Sequence, residues 1–158
     1  MSCNTAQDRR ERLGLHAMLI GNGQQASCVS IYPSSLIPFL DSKVNEEAVL
    51  KTFLRTVHDM HFYALSNRQI MEDIYSRATE IRYVKTYDED EGYRRMVLFV
   101  DAEKNKRIKS LVLLVGEDSK YYYCIEASGE MQEADIARLG KIRPDFFESY
   151  FKRFNIKF

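Results

Sequence analysis

Between Arg82 and Ala127 the chain reads RYVKTYDED EGYRRMVLFV DAEKNKRIKS LVLLVGEDSK YYYCIEA, and this stretch decides the fold. Four strands are predicted in it: Arg82 to Tyr87, Tyr93 to Asp101, Ile108 to Val115 and Tyr121 to Ala127. The links are Asp88-Glu89-Asp90-Glu91-Gly92, Ala102 to Arg107, and Gly116 to Lys120. They are short and polar, whereas a parallel return needs a crossover of about a dozen residues or more. The four strands therefore form an antiparallel meander. Met96 to Val100 and Leu111 to Val115 are apolar at consecutive positions, so the middle strands are expected to be covered on both faces for part of their length.

Upstream, Ser27 to Tyr32 alternates toward Val29 and Ile31 and is stopped by Pro33, as a short strand would be. Ser34 to Leu40 allows a helical turn or two. From Asn45, the residues Val49, Leu50, Phe53, Leu54 and Val57 share one helical face, which predicts a helix running to Met60. His61 to Leu65 reads as a strand, and Asn67 opens a helix patterned by Ile70, Met71, Ile74, Ala78 and Ile81. Downstream, Gly129 is expected to end the last strand, Met131 to Ile142 to form a third helix, and Pro144 to start a final one. The class is α+β, a mainly antiparallel sheet with helices packed on one face. Residues 1–25, with the charged run Asp8-Arg9-Arg10-Glu11-Arg12 and Gly21-Asn22-Gly23, read as a flexible leader or tether, and 26–158 as a single domain.

The 158 residues suit one domain, and 45% hydrophobic content supports one core. Lysine plus arginine number 23 and so do aspartate plus glutamate, so no net field gathers nucleic acid. Leu13 to Ile20 is far shorter than the roughly 20 apolar residues of a membrane-spanning helix. Cys3, Cys28 and Cys124 are too scattered for a structural zinc site.

Val29-Ser30-Ile31 before Pro33, the helix to Met60, His61-Phe62-Tyr63-Ala64-Leu65, and Ser110 to Asp118 together resemble a domain-of-unknown-function family of small bacterial envelope proteins, seen mainly in Bacteroidetes. Ile125 to Glu130 followed by Asp135 to Leu139 is similar to that family's strand, glycine and helix ending. The likeness covers roughly residues 26–142, and the Tyr121-Tyr122-Tyr123 run and the Phe-rich end depart from it. Family members commonly carry an export signal and a lipid-bearing cysteine, and Met1-Ser2-Cys3-Asn4 resembles the end of such a lipobox. The resemblance implies a lipid tether at Cys3 and a cell-envelope location, periplasmic or lipid-anchored, with a cytoplasmic location as the alternative.

In an oxidising compartment Cys28 and Cys124 could pair as a disulfide; two buried free thiols are the simpler account. His58, Asp59 and His61 are metal-ligand types, but the two histidines straddle a predicted helix end and strand start, and no further ligand is near in sequence. No metal site is assigned to them. Asp88 to Gly92 lacks the spaced ligands of a calcium loop and reads as a solvated hairpin tip. Tyr121, Tyr122 and Tyr123 must alternate between the faces of a strand and could anchor a partner, although strand propensity alone also explains them. Phe146, Phe147, Tyr150, Phe151 and Phe154 fall on one helical stripe that could lie in a partner's groove or on a membrane surface, or dock on the domain's own sheet.

No phosphate loop, nucleophile elbow or zinc-protease helix occurs, and no cofactor is implied. The leading expectation is a non-enzymatic, envelope-facing interaction or sensing domain with a protein or envelope partner. The alternatives are a small-ligand carrier or small enzyme with a pocket between helices and sheet, and a cytoplasmic regulatory partner protein.

Overall fold

Leu111 to Val115, apolar at every position, form the middle of a strand buried on both faces. The computed structural model describes residues 13–21, 26–102, 107–117 and 121–139. Among them, six strands make one sheet: β1 (Ala26–Ile31), β2 (Val57–Leu65), β3 (Val84–Asp90), β4 (Arg94–Ala102), β5 (Ile108–Glu117) and β6 (Tyr121–Met131). Their spatial order is β1-β2-β6-β5-β4-β3, and each neighbouring pair is antiparallel. The expected meander is thus β3 to β6, and β2 pairs with the far side of β6.

The α-helices whose bounds are described are α1 (Pro33–Leu36), α2 (Asn45–Leu54), α3 (Arg68–Glu80) and α4 (Glu133–Leu139). They do not share one face. Leu50, Phe53 and Leu54 of α2 and Ile136 of α4 meet Met60, Phe62, Leu98, Leu113 and Ile125 on one side. On the other side, Ile70, Met71, Ile74 and Ala78 of α3 meet Tyr63, Val97, Phe99, Val112 and Leu114. The one-face arrangement fails because β4 and β5 are apolar on both sides. Burying a large apolar side chain is worth about 1.5–3 kcal/mol, so leaving either layer wet would cost many times that.

The same requirement overturns the flexible leader for residues 13–21. Leu13, Leu15 and Leu19 are buried in the α3-side layer with Tyr63, Leu65 and Cys124, and Ala17–Gly21 forms a π-helical turn. This segment covers part of the sheet face and belongs to the core.

Two boundaries move for local reasons. α2 begins after Val44 with no side-chain cap, so Asn45 is its first residue, and it ends at Leu54, not near Met60. Thr56 closes the last turn by donating from Oγ1 to the Phe53 carbonyl (2.7 Å), and Val57 to Met60 join β2. Gly129 does not end β6 but lies within it. A Cβ there would stand 2.1 Å from the Thr56 carbonyl oxygen and 2.9 Å from Val57 Cα, and the Thr56 carbonyl accepts from Glu130 N at 2.9 Å. Only glycine lets the entry of β2 come this close to β6.

α3 starts as expected, with Asn67 Oδ1 accepting from Ile70 N at 3.1 Å. It ends with Tyr83 N donating to the Ala78 carbonyl (3.0 Å) and Arg82 N to the Thr79 carbonyl (3.1 Å), which puts Arg82 at φ 68°. Arg82 is therefore a turn residue, and the strand predicted from it starts two residues later and runs to Asp90.

Two substitutions should act with opposite sign in urea unfolding. Gly129→Ala should cost at least about 1–3 kcal/mol, because the backbone it meets cannot step aside. Arg82→Gly should gain about 0.5–1 kcal/mol by relieving a left-handed arginine.

Candidate functional site

β6 sorts the tyrosine run between environments. Tyr123 faces the α2 side, is buried, and stacks on Phe62 with ring centroids 5.2 Å apart, so it offers no surface. Tyr122 faces the α3 side, half-buried, opposite Gly116 of β5. A Cβ at Gly116 would lie 2.8 Å from Tyr122 Cδ1 and 3.0 Å from Met71 Sδ, so this glycine is what allows the phenol ring to lie across β5. Tyr121 begins the strand; its side chain lies outside the described residues.

Tyr122 forms the floor of a groove shared with Met71, Arg68 and Glu72 of α3 and with Tyr93 and Arg94 at the β3–β4 turn. Gly92 takes φ 85° there, Asp90 Oδ1 accepts from Gly92 N at 2.9 Å, and Glu91 N donates to the Arg94 carbonyl at 2.9 Å. This tight closure lifts Tyr93 outward, leaving it 59% exposed. The acidic stretch is only partly the expected hairpin tip, since Asp88 to Asp90 pair with Arg95 to Val97 as strand.

Beneath the groove, Arg95 ties the hairpin to α3. Its Nη1 lies 3.1 Å from Glu72 Oε1, its Nη2 lies 3.4 Å from Asp88 Oδ2, and its guanidinium carbon stands 4.8 Å from the centre of the Tyr75 ring. Lys85 Nζ completes the cluster, donating to Tyr75 Oη at 2.8 Å and to Asp88 Oδ2 at 3.2 Å, while Tyr75 packs edge-on against Phe99. Partial burial raises the Asp88 pKa, but hydrogen bonds from Arg95 and Lys85 outweigh it and hold the carboxyl below its ordinary value of 3.8. A lowered carboxyl pKa stabilises the fold above the unfolded value, and that contribution disappears as pH falls through the folded one. Thermal melts of the native chain and Asp88→Asn should therefore differ at neutral pH, with the native chain higher, and converge as pH drops below 3.8.

The other site candidates lie on β1 and β2. Cys28, Tyr63 and Cys124 are in register on β1, β2 and β6, so two strand spacings of about 4.8 Å separate the cysteines. A disulfide needs Cα atoms within about 7 Å, so none forms, and both cysteines are free thiols. Burial is the main cause pushing both thiols up, most strongly in Cys124, and the nearby Glu126 carboxylate adds to it. Native-state alkylation with peptide mapping should label Cys28 slowly and Cys124 only after denaturant is added.

His58 sits at the bulge between Val57 and Asp59 and is exposed, whereas Asp59 and His61 follow on regular strand. His61 Nε2 lies 3.3 Å from Asp59 Oδ1, and its Nδ1 lies 3.1 Å from Oγ of Ser30, its register partner on β1. Among the described residues, no three His, Cys, Asp or Glu side chains are placed to share a metal ion.

Cys3, Phe146, Phe147, Tyr150, Phe151 and Phe154 lie outside the described residues. Sequence reasoning missed Tyr93, Gly116, Arg68 and Arg95 as groove and clamp residues, and Ser30 as the partner of His61. An aromatic directly after the loop glycine Gly92 was the one available signal. Nothing in the sequence marks residues that only strand register brings together. Compared with known proteins, the chain matches no family model, no curated protein and no solved structure.

Proposed function

We propose that this chain is a non-enzymatic interaction domain that engages a protein partner through the groove between Tyr93 and Tyr122. The observation that carries this reading is a sheet filled on both faces, beside a shallow surface groove flanked by an outward-standing aromatic. The groove encloses only about 20 Å³, far below the ~300–1,000 Å³ typical of small-molecule pockets. So shallow a surface suits flat contact with a partner better than an enclosed substrate.

Tyrosine supplies large contact area with few rotors to immobilise, which favours it at interface centres. The surrounding ion pairs, Arg94 with Glu91 (3.6 Å) and Arg95 with Glu72, form a polar rim around it. In this proposal the domain works at the cell envelope on a lipid carried by Cys3, a reading supported by the lipobox-like Met1-Ser2-Cys3-Asn4.

A photo-crosslinking amino acid at position 93 in the full chain, expressed in its native kind of host, tests the groove. One recurrent adduct protein should appear at position 93 and not at the exposed control position 43, and Arg68→Glu should weaken it. Equal adduct patterns at both positions would reject the groove as the binding surface.

A further inference from the structure

Ser30 is hydrogen-bonded to His61, and Asp59 lies against the other ring nitrogen of that histidine, a row of three polar groups that the groove does not use. Asp59 and His61 are two residues apart on β2 and so share a face, and the β1–β2 register puts Ser30 beside His61 on that face. The row is reachable from solvent: Ser30 is exposed, and the side chains of His61 and Asp59 are 23% and 44% exposed.

The order of the three groups has a consequence for the proton. A carboxylate only accepts, so the neutral tautomer that suits Asp59 is the one with its hydrogen on Nε2, 3.3 Å from Asp59 Oδ1. In that tautomer Nδ1 accepts, and the Ser30 hydroxyl 3.1 Å away is its donor. The ring is also held by Tyr63, whose centroid lies 6.3 Å from that of His61. This is the functional order of a nucleophile, a general base and a group that orients the base.

We propose that Ser30 is an activated nucleophile that accepts acyl groups from small reactive esters, with His61 as its base and Asp59 as a positioning residue. Ser30 Oγ attacks the ester carbonyl carbon as its proton passes to His61 Nδ1. The tetrahedral adduct then collapses, the bond to the leaving oxygen breaks, and the departing alcohol takes the proton back from Nδ1. The products are acyl-Ser30 and a free alcohol. The exposed position of Ser30 on β1 selects esters with good leaving groups. Acylation of Ser30 is a single stoichiometric event without turnover, so it stands beside the non-enzymatic partner-binding reading and is independent of it, using other strands and a chemical readout.

The full chain is incubated with p-nitrophenyl acetate, and acetylated peptides are located by mass spectrometry as a function of time. Ser30 should be acetylated first, well ahead of Ser27, which stands opposite Ala64 and has no imidazole partner. Ser30→Ala should abolish that label. His61→Gln should slow it by about 10²-fold, the usual contribution of a general base. Asp59→Asn should slow it less while leaving the far-ultraviolet dichroism unchanged, which keeps the test valid should His61→Gln fail to fold. Acetylation of Ser30 no faster than of Ser27, acetyl groups accumulating on His61 or Cys28 in its place, or a rate indifferent to both substitutions would overturn the proposal.

Discussion

Everything in this fold follows from two central strands that cannot leave either face in water. β5 runs buried from Ser110 to Gly116, and β6 from Tyr123 to Ala127, so each strand needs an apolar layer above and below. That demand places α2 and α4 on one side and α3 on the other, and it draws Leu13, Leu15 and Leu19 onto the part of the sheet that α3 does not reach. Close approach is obtained where side chains are removed: Gly129 admits the Thr56 carbonyl, and Gly116 admits the Tyr122 ring.

The polar residues divide into two groups by position. At the β3–β4 end, Arg95 and Lys85 stack on Tyr75 and bind Asp88, joining helix and hairpin through groups that remain partly wet. Individually such pairs contribute little, since exposed ion pairs are screened, but a guanidinium held on an aromatic face with two carboxylates loses less rotamer freedom per contact. At the β1–β2 end, polar side chains share the face of an otherwise apolar sheet: Cys28, Ser30, Asp59, His61 and Tyr63. Here the strands act as rulers, setting side chains side by side at fixed spacing, which is how a serine and a histidine far apart in sequence come within hydrogen-bond distance.

Several elements were legible because their signals are local. The polar links between apolar runs made β3 to β6 a meander, and Asn67 before a helical pattern marked the start of α3. Errors gathered where tertiary contact overrode local preference. Val57 fits the helical face of α2 by spacing, yet it serves as strand, since β6 offers it backbone partners and Gly129 offers it room. Gly129 looks like a stop in one dimension and is a point of close approach in three.

The sequence by itself determined the class of fold, the meander, the burial of the middle strands on both faces and the neutral overall charge, because each depends on the period of apolar residues or on composition. Only the tertiary structure decided which helix covers which face, that residues 13–21 join the core, that Cys28 and Cys124 stand apart across Tyr63, and that Tyr93 and Tyr122 line one groove while Ser30 meets His61. Those outcomes depend on strand order and register, which arise from the whole sheet packing at once and leave no mark at any single position of the chain.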